Sequence, residues 1–561
     1  MPELDLATLH EAIAAAIPDR ECVVTPDRRL TWRQVTERSR RLAHVLHGHG
    51  LGRHERAVEP WESQHDHVAL YLHNGPEYLE GLLGAHKARV APFNVNYRYV
   101  DDELAQLFAD ARPGAIVFHA CFAAAIERVV RRLGITPLLL QVADSSGERL
   151  LDGALDYEAA LAAASTEPLD VRPDAGDLHI LYTGGTTGLP KGVLWRIGDL
   201  MVGPLGLTRR DGTAIDDLTE AVARAERGAH RVLIGPPLMH GAGTWSALGG
   251  WCGGACVVFP ERVDGMDAAD LMATAERERV TRMPMVGDAF ARPIVEVLER
   301  GSYDLSTLRT MLNSAAAISP DVKRRLMERL PTTRIVDVLG SSESGFAVTR
   351  SGSADRPFAP APGAAVLSAD RTRRLAPGED ELGWLAKGGG RVPLGYLNDP
   401  DKTASTFITV DGERLVVAGD RARLLADGTV EVHGREATTI NTGGEKVFAE
   451  EVEGVLRDLP GVADALVVGR PSERWGTEIV AVLRLAPGAE AGGEAGSEAD
   501  EAGGEADEAG GETSDERLRE GCAVHLARYK IPKAFVRTGE GLRLPNGKAD
   551  YAAARALVDG L

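Results

Sequence analysis

Across the first 170 residues, apolar positions at helical spacing alternate with short apolar runs, and this alternation restricts the fold more than any other feature of the chain. Leu30 to Gly50 carries Val35, Leu42, Val45 and Leu46 at helical spacing; His67 to Leu72 then reads as a strand and Tyr78 to Ala85 as another helix. Strands that alternate with helices need crossover connections, so a largely parallel sheet with helical layers is expected, an α/β fold. Val257 to Pro260 and Arg334 to Leu339 read as further buried strands, and Glu55 to Gln64, with Pro60 and Trp61, as a loop insertion. At 561 residues the chain exceeds one ordinary core, so at least two domains are expected.

The clearest boundary lies at Gly434 to Ala437. Before it, Arg421 to Val432 has Asp427-Gly428 between two apolar runs, a hairpin signal. After it, Glu450 to Leu456 has Val452, Val455 and Leu456 at i, i+3 and i+4, with Glu450, Glu451 and Glu453 favouring a helix start. The expected division is a large domain over residues 1–433, a hinge at 434–437 and a small α+β domain over 438–561. Within the small domain, residues 486–516 are almost entirely Ala, Gly, Glu, Asp and Ser. That composition cannot offset ordering entropy, so an acidic disordered insertion is expected between the strand Ile479 to Leu485 and a helix from Glu516 to Leu526.

A formal charge of −20 argues against a nucleic-acid surface and suits a protein that handles small molecules. No signal-like start and no apolar run long enough to span a bilayer stands out, so no stable membrane insertion is expected and a cytoplasmic location is the default. Cys252 and Cys256 lie in an apolar turn and strand without a second Cys/His pair, and read as buried small hydrophobes. Only nine of the 63 basic residues are lysines, and Lys191, Lys446 and Lys548 all fall in glycine-containing motifs. Chance placement is the alternative.

Leu181 to Gly192 reads Leu-Tyr-Thr-Gly-Gly-Thr-Thr-Gly-Leu-Pro-Lys-Gly. A Walker loop places its Lys on a helix N-terminus, whereas Lys191 here follows Pro190, which disfavours a helix and keeps the segment extended. Gly184, Gly185 and Gly188 permit close backbone approach to a ligand, Thr183, Thr186 and Thr187 offer hydroxyls, and Lys191 offers charge: a polyphosphate grip. A Gly/Thr turn after the strand Leu178 to Thr183 with an incidental lysine is the plain alternative.

The segment resembles the signature loop of the adenylate-forming superfamily, which contains acyl-CoA synthetases, peptide-synthetase adenylation domains and luciferases; Gly185 stands where Ser is commonest. Leu339-Gly340-Ser341-Ser342-Glu343 is similar to the superfamily's Tyr-Gly-x-Thr-Glu, which implies that Glu343 binds Mg²⁺ and Ser342 a phosphate oxygen, with Leu339 replacing an aromatic wall. Ser314, Ala315, Ala316 and Ala317 occupy the place of a Gly-Gly-Ala-Pro segment facing adenine, and Asp337 the place of a residue near the adenine amino group. Asp420 and Arg435 resemble the ribose-binding pair. Lys548, in Pro-Asn-Gly-Lys, resembles the lysine that reaches the substrate carboxylate and the α-phosphate.

Pro237 to Trp245 is similar to the segment bordering the carboxylate pocket, which gives His240 a place near the reacting carboxylate and makes Gly241 and Trp245 wall residues; a structural histidine is the rival reading. Gly287 and Phe290 form another candidate wall. Gly443 and Gly444 resemble the loop past which the pantetheine arm of CoA runs, which implies a catalytic Lys446 in contact with AMP or the acyl carbonyl, and Ala437 stands at the hinge position, where Asp or Lys is usual.

Phe93 to Tyr99 and Gly547 to Tyr551 are similar to the actinobacterial fatty-acyl and sterol-acyl-CoA synthetase branch. The resemblance implies the superfamily's fold, a large N-terminal domain of layered α/β subdomains plus a small mobile C-terminal domain, in a monomer or homodimer. It implies ATP, Mg²⁺ and CoA as cofactors and a small-molecule carboxylic acid as substrate. The expected reaction forms an acyl-AMP and pyrophosphate, after which a thiolate releases AMP. One rival keeps the fold but activates nitrite toward an aryl amine, as synthetase-like diazotases do; a second is a non-catalytic nucleotide-binding protein.

Overall fold

The structure, a computed structural model, describes residues 3–184, 190–315, 318, 320–352, 356–435, 439–486, 513–542 and 549–560. It divides into two compact units. The first comprises Met1–Tyr97, Leu107–Thr183 and Lys191–Glu436; the second comprises Arg98–Gln106, Gly184–Pro190 and Ala437–Leu561. The expected acidic insertion falls almost wholly, and the hinge alanine Ala437 entirely, outside the described residues.

The first unit contains a nine-stranded and an eight-stranded sheet, and the alternation in the sequence is their cause. Several helices bury a 3.6-residue apolar stripe, whereas Pro76–Lys87 is buried all round. Trp32–Gly48 starts at Thr31 because Thr31 and Gln34 form a capping box, and its buried side carries Val35, Leu42, Val45 and Leu46. Trp32, Trp195 and Trp251 are fully buried. Each removes about 200 Å² from water, worth ~5 kcal/mol before ordering entropy.

In the nine-stranded sheet, Arg231–Leu233, Arg282–Met285, Thr310–Asn313 and Arg334–Ser341 run parallel, and the chain then reverses into the antiparallel strand Gly345–Ser351. That reversal is tight. A Cβ on Gly340 would meet the Gly345 carbonyl oxygen at 1.8 Å, and Gly345 itself has φ 59°, so both positions require glycine.

In the eight-stranded sheet, His67–Tyr71 pairs in parallel with Ala91–Asn94 and Pro113–His119, and Phe93 stands opposite Ile180 of Leu178–Gly184. The strand Pro190–Arg196 confirms the extended backbone expected for Lys191, and it pairs antiparallel with Gly395–Tyr396.

The second unit is built on Val462–Ser472 and Gly476–Leu485, an antiparallel pair, with Ala534–Arg537 parallel to the latter. Ile479, Ala481 and Leu483 join one hydrophobic cluster, with Val452, Leu456, Leu518 and Cys522; Val480 and Val482 join another, with Ala554 and Val558. Both faces of this strand are covered, which is why it reads as a continuous apolar run.

Candidate active site

The strand Pro190–Arg196 organises the site of the first unit from both ends. At one end it presents Lys191. At the other, Trp195 donates its indole N–H to the Ser342 carbonyl at 2.8 Å and so holds the turn that carries Glu343. That turn is fixed internally as well: the Ser341 hydroxyl accepts from the Glu343 and Ser344 amides, each at 3.2 Å, and the Ser344 hydroxyl accepts from the Ser341 amide at 2.9 Å. The antiparallel register of Gly395–Tyr396 on the lysine strand brings Tyr396 in, and its hydroxyl donates to Glu343 Oε1 at 2.8 Å.

Lys191 Nζ lies 5.8 Å from the Tyr396 ring centroid, and Asp399 is 3.9 Å away from the ammonium. Burial and neighbouring Lys402 lower the Lys191 pKa, with Asp399 and Glu343 opposing them. The result is a half-buried ammonium and a hydrogen-bonded carboxylate side by side. A hard oxygen on one side and a point charge on the other suit a polyphosphate with its metal ion.

Two buried asparagines set the place of His240. Asn74, after the strand His67–Tyr71, accepts from the Leu238 amide at 2.6 Å and donates to the Pro236 carbonyl at 3.0 Å. Asn94, at the carboxyl end of its strand, donates to the Met239 carbonyl at 2.7 Å and accepts from the Tyr182 amide at 2.7 Å. The loop thus pinned ends at His240, the residue preceding the helix Gly241–Trp251. A Cβ on Gly243 would meet the Pro237 carbonyl oxygen at 2.4 Å, so the first turn of this helix closes on the loop only with glycine there. Trp245 packs edge-on against Trp195 and against Phe346, with centroids 6.5 and 6.2 Å apart, beside the hairpin that carries Glu343. A Cβ on Gly241 would touch the Trp245 ring at 3.4 Å.

Asp337 is occupied by the protein. Lys323 Nζ at 2.5 Å and Arg350 Nε at 3.0 Å both reach its Oδ2, and Asn313 donates to Oδ1 at 3.1 Å. Asn313 in turn accepts from the Gly287 amide at 2.8 Å, which ties the start of the helix Gly287–Arg300 to the Asp337 cluster. Phe290 lies in a different hydrophobic cluster from Trp245, so the two candidate walls do not meet in one core. Ala315 has φ 65°, a left-handed conformation at a position where the superfamily pattern has glycine. Leu339 packs with Val348 and Val366. Asp420 is buried, and the strand register sets it opposite Arg435.

In the second unit, Gly443 and Gly444, with φ 56° and 87°, form the turn between Thr439–Thr442 and Glu445–Phe448, which sets Lys446 across from Asn441. The Gly443 amide donates to the Trp475 carbonyl at 3.0 Å, and a Cβ on Gly443 would meet the Trp475 ring at 3.1 Å. Beside this turn a cavity of about 710 Å³ is lined by Arg98, Arg474, Trp475, Arg528, Tyr529 and Lys533. Arg474 lies 4.7 Å over the Trp475 ring and Lys533 lies 5.9 Å over it. Burial, then Arg528, Arg474 and Arg519, lower the Lys533 pKa, a crowding of like charges that suits an anion. Gly185, Thr186, Thr187, Gly188, Ala316, Ala317 and Lys548 lie outside the described residues.

The profile of the AMP-binding enzyme family matches residues 10–397, and that of the AMP-binding enzyme C-terminal domain matches residues 451–548. The chain belongs to the AMP-binding enzyme family. It is an acyl-CoA ligase of the adenylate-forming superfamily. It is 46% identical to the medium-chain acyl-CoA ligase Mig of Mycobacterium avium over 97% of this chain and 96% of that protein. It is 35% identical to the 3-oxocholest-4-en-26-oate–CoA ligase of Rhodococcus rhodochrous over 98% of this chain and 95% of that one. Among solved structures, the amide bond synthetase McbA of Marinactinospora thermotolerans shares the fold, with a TM-score of 0.74 at 22% identity and 99% of both chains covered.

Around the candidate residues stand side chains whose contacts the sequence did not disclose: Tyr396, Asp399, Asn74, Asn94, Asn313, Lys323, Trp475 and Arg528. A strand of two residues or an isolated asparagine has no periodicity to mark it. The crowding of Arg474, Arg528 and Lys533 carried a signal, since all three lie in one small domain of an acidic chain. No helix among the described residues is long and apolar enough to cross a membrane.

Proposed function

We propose that the first half-reaction takes place at the Lys191–Tyr396–Glu343 cluster and that its preferred acid is a medium-chain carboxylic acid. Lys191 holds the β- and γ-phosphates of ATP, Glu343 carries Mg²⁺ with its carboxylate oriented by Tyr396, and Asp420 and Arg435 bind the ribose. Mg²⁺, when bound, neutralises charge on the phosphates. One carboxylate oxygen attacks the α-phosphorus, a C–O–P bond forms, and the bond to pyrophosphate breaks. His240 borders the carboxylate, Lys548 stabilises the charge that builds between two anions, and the Trp245 wall takes the apolar chain.

In the second half-reaction the CoA thiolate attacks the acyl carbonyl and AMP leaves. The cavity beside Gly443 fits the phosphorylated nucleotide of CoA: its guanidiniums and ammonium suit phosphate groups, and Trp475 offers an aromatic face for adenine. Lys446 lies near the acyl adenylate, Ala437 serves as the hinge between half-reactions, and a monomer or homodimer works in the cytoplasm, where ATP and CoA are both supplied. The acid preference is supported by the Mycobacterium avium relative, named a medium-chain acyl-CoA ligase, and by the aromatic surroundings of Trp245.

The observation that carries the reading is Lys191, a withdrawn ammonium beside a Tyr-oriented carboxylate, with Asp399 no closer than 3.9 Å. The test is ATP–pyrophosphate exchange across short-, medium- and long-chain acids, a sterol carboxylate and nitrite. Medium-chain acids should give the highest exchange; exchange driven by nitrite alone would overturn the proposal.

A further inference from the structure

Most arginines of the first unit end on carboxylates: Arg29 and Arg231 on Glu21 and Glu278, Arg38 on Glu80, Arg89 on Asp177. One group does not. At the amino ends of the parallel strands, opposite the end where Glu343 sits, Arg282, Thr310 and Arg334 occupy one register line across three neighbouring strands. Parallel strands in register project such residues from the same sheet face, spaced about 4.8 Å apart, so Thr310 stands between two guanidiniums. His230 and Arg224 complete the group. Arg282 Nη2 donates to His230 Nε2 at 3.1 Å, and Thr281 Oγ1 lies 3.4 Å from His230 Nδ1. Arg224 is held by the Thr208 carbonyl at 3.1 Å, which leaves most of its guanidinium donors for another partner.

No carboxylate among the described residues lies within ion-pair distance of Arg224, His230, Arg282 or Arg334. Burial and then the charges of Arg224 and Arg334 push the Arg282 pKa down, and burial, Arg282 and Arg224 do the same to His230. In a chain with formal charge −20, three guanidiniums grouped without a counter-ion are a local excess of positive charge, with Arg282, Arg334 and His230 exposed to an incoming anion. The imidazole is neutral in this arrangement, since its Nε2 lone pair accepts from Arg282.

We propose that Arg224, His230, Arg282, Thr310 and Arg334 form an oxyanion site for a phosphate-class dianion, separate from the nucleotide site. Two guanidiniums about two strand spacings apart converge on one tetrahedral anion, with Arg224 and the Thr310 hydroxyl as further donors. The dianion also reverses the role of His230: with negative charge beside it the imidazole takes up a proton from solvent, and both ring nitrogens then donate. Binding is therefore linked to proton uptake at this one residue. Inorganic phosphate and the pyrophosphate made by the enzyme's own reaction share the required chemistry.

The experiment follows the His230 ring signals by NMR in the full-length protein with labelled histidine, assigned with His230→Gln. Chloride, phosphate and pyrophosphate are compared at equal ionic strength. Phosphate, pyrophosphate or both should raise the His230 pKa by about one unit, as an added counter-charge does, and the stronger of the two identifies the source. Arg282→Gln and Arg334→Gln should each weaken the response at least tenfold while leaving acid-dependent pyrophosphate exchange unchanged. Neither variant should lower stability, since each relieves like-charge repulsion. An unmoved His230 in both anions, or a response in Arg282→Gln and Arg334→Gln as large as in the unsubstituted protein, would overturn the assignment.

Discussion

Lys191 in the first unit and Lys530 in the second are both withdrawn from water, with side-chain exposures of 12% and 5%, yet their surroundings are opposite. Lys530 is saturated: Glu103 lies at 2.5 Å and Glu451 at 2.7 Å, with the Tyr99 and Tyr529 rings at 5.3 and 5.7 Å. Burial works against its charge, but Glu451 and Glu103 outweigh it and raise its pKa above the ordinary 10.5. Lys191 has an aromatic ring, a second lysine and a carboxylate at 3.9 Å, and its pKa is lowered. A buried lysine whose counter-charges are already present belongs to the fold. One whose counter-charge is incomplete is prepared for a ligand that brings its own negative charge.

The largest effect should come from the saturated lysine. Lys530→Met strands two buried carboxylates, and breaking such a pair costs about 3–5 kcal/mol. Hydrogen exchange in Ala449–Asp458 should accelerate accordingly, and an unchanged exchange rate would break the comparison. Lys191→Ala should do the reverse: acid-dependent pyrophosphate exchange falls by about 10²–10³-fold, as for a lost preorganised charge donor, with the unfolding midpoint unmoved. Tyr396→Phe is the intermediate case. It removes one neutral donor to a carboxylate, worth about 1.5 kcal/mol, so kcat/KM for adenylation should fall about tenfold and stability should hold.

The smallest effect is a pH dependence. Lys530 has a raised pKa, so the stability it contributes is fully present below about 10.4 and is lost only as pH rises through its higher folded value. Lys191 has a lowered pKa, so it loses its charge at a pH below 10.5. The alkaline limb of kcat/KM, which reports the free enzyme, should therefore fall below that pH while the second unit remains folded, and the limb should be absent in Lys191→Arg. Loss of folding and of activity at the same pH would erase the distinction between the two lysines.

The sequence disclosed the layers and the motif residues but not their anchors. The helical spacing around Val35 gave Trp32–Gly48, and the run after Arg334 gave Arg334–Ser341, because each element buries one stripe or one face. The first strand of the hairpin around Asp427-Gly428 begins at Asp420 and the second ends at Arg435, bringing into register two residues that the sequence paired only by resemblance. Lys191 and Glu343 stood out from their motifs. Tyr396, Asn74 and Asn94 did not, because each acts on a segment more than fifty positions away and local spacing carries no trace of it. Asp337 shows the opposite limit: the resemblance set it near adenine, while the fold surrounds its carboxylate with Lys323, Arg350 and Asn313, none of which the motif contains. The cationic line of Arg282 and Arg334 emerges only when three strands take their register.

Oxygen transfer tests the central claim most directly. When the enzyme converts a medium-chain acid labelled with ¹⁸O in its carboxylate, ATP and CoA to products, the attacking oxygen remains on phosphorus when the thiolate cleaves the acyl C–O bond. AMP carrying one ¹⁸O, formed in equal amount to acyl-CoA and pyrophosphate, is the expected result. Unlabelled AMP, or ¹⁸O recovered in orthophosphate with ADP as the nucleotide product, would contradict adenylation at the Lys191–Glu343 site.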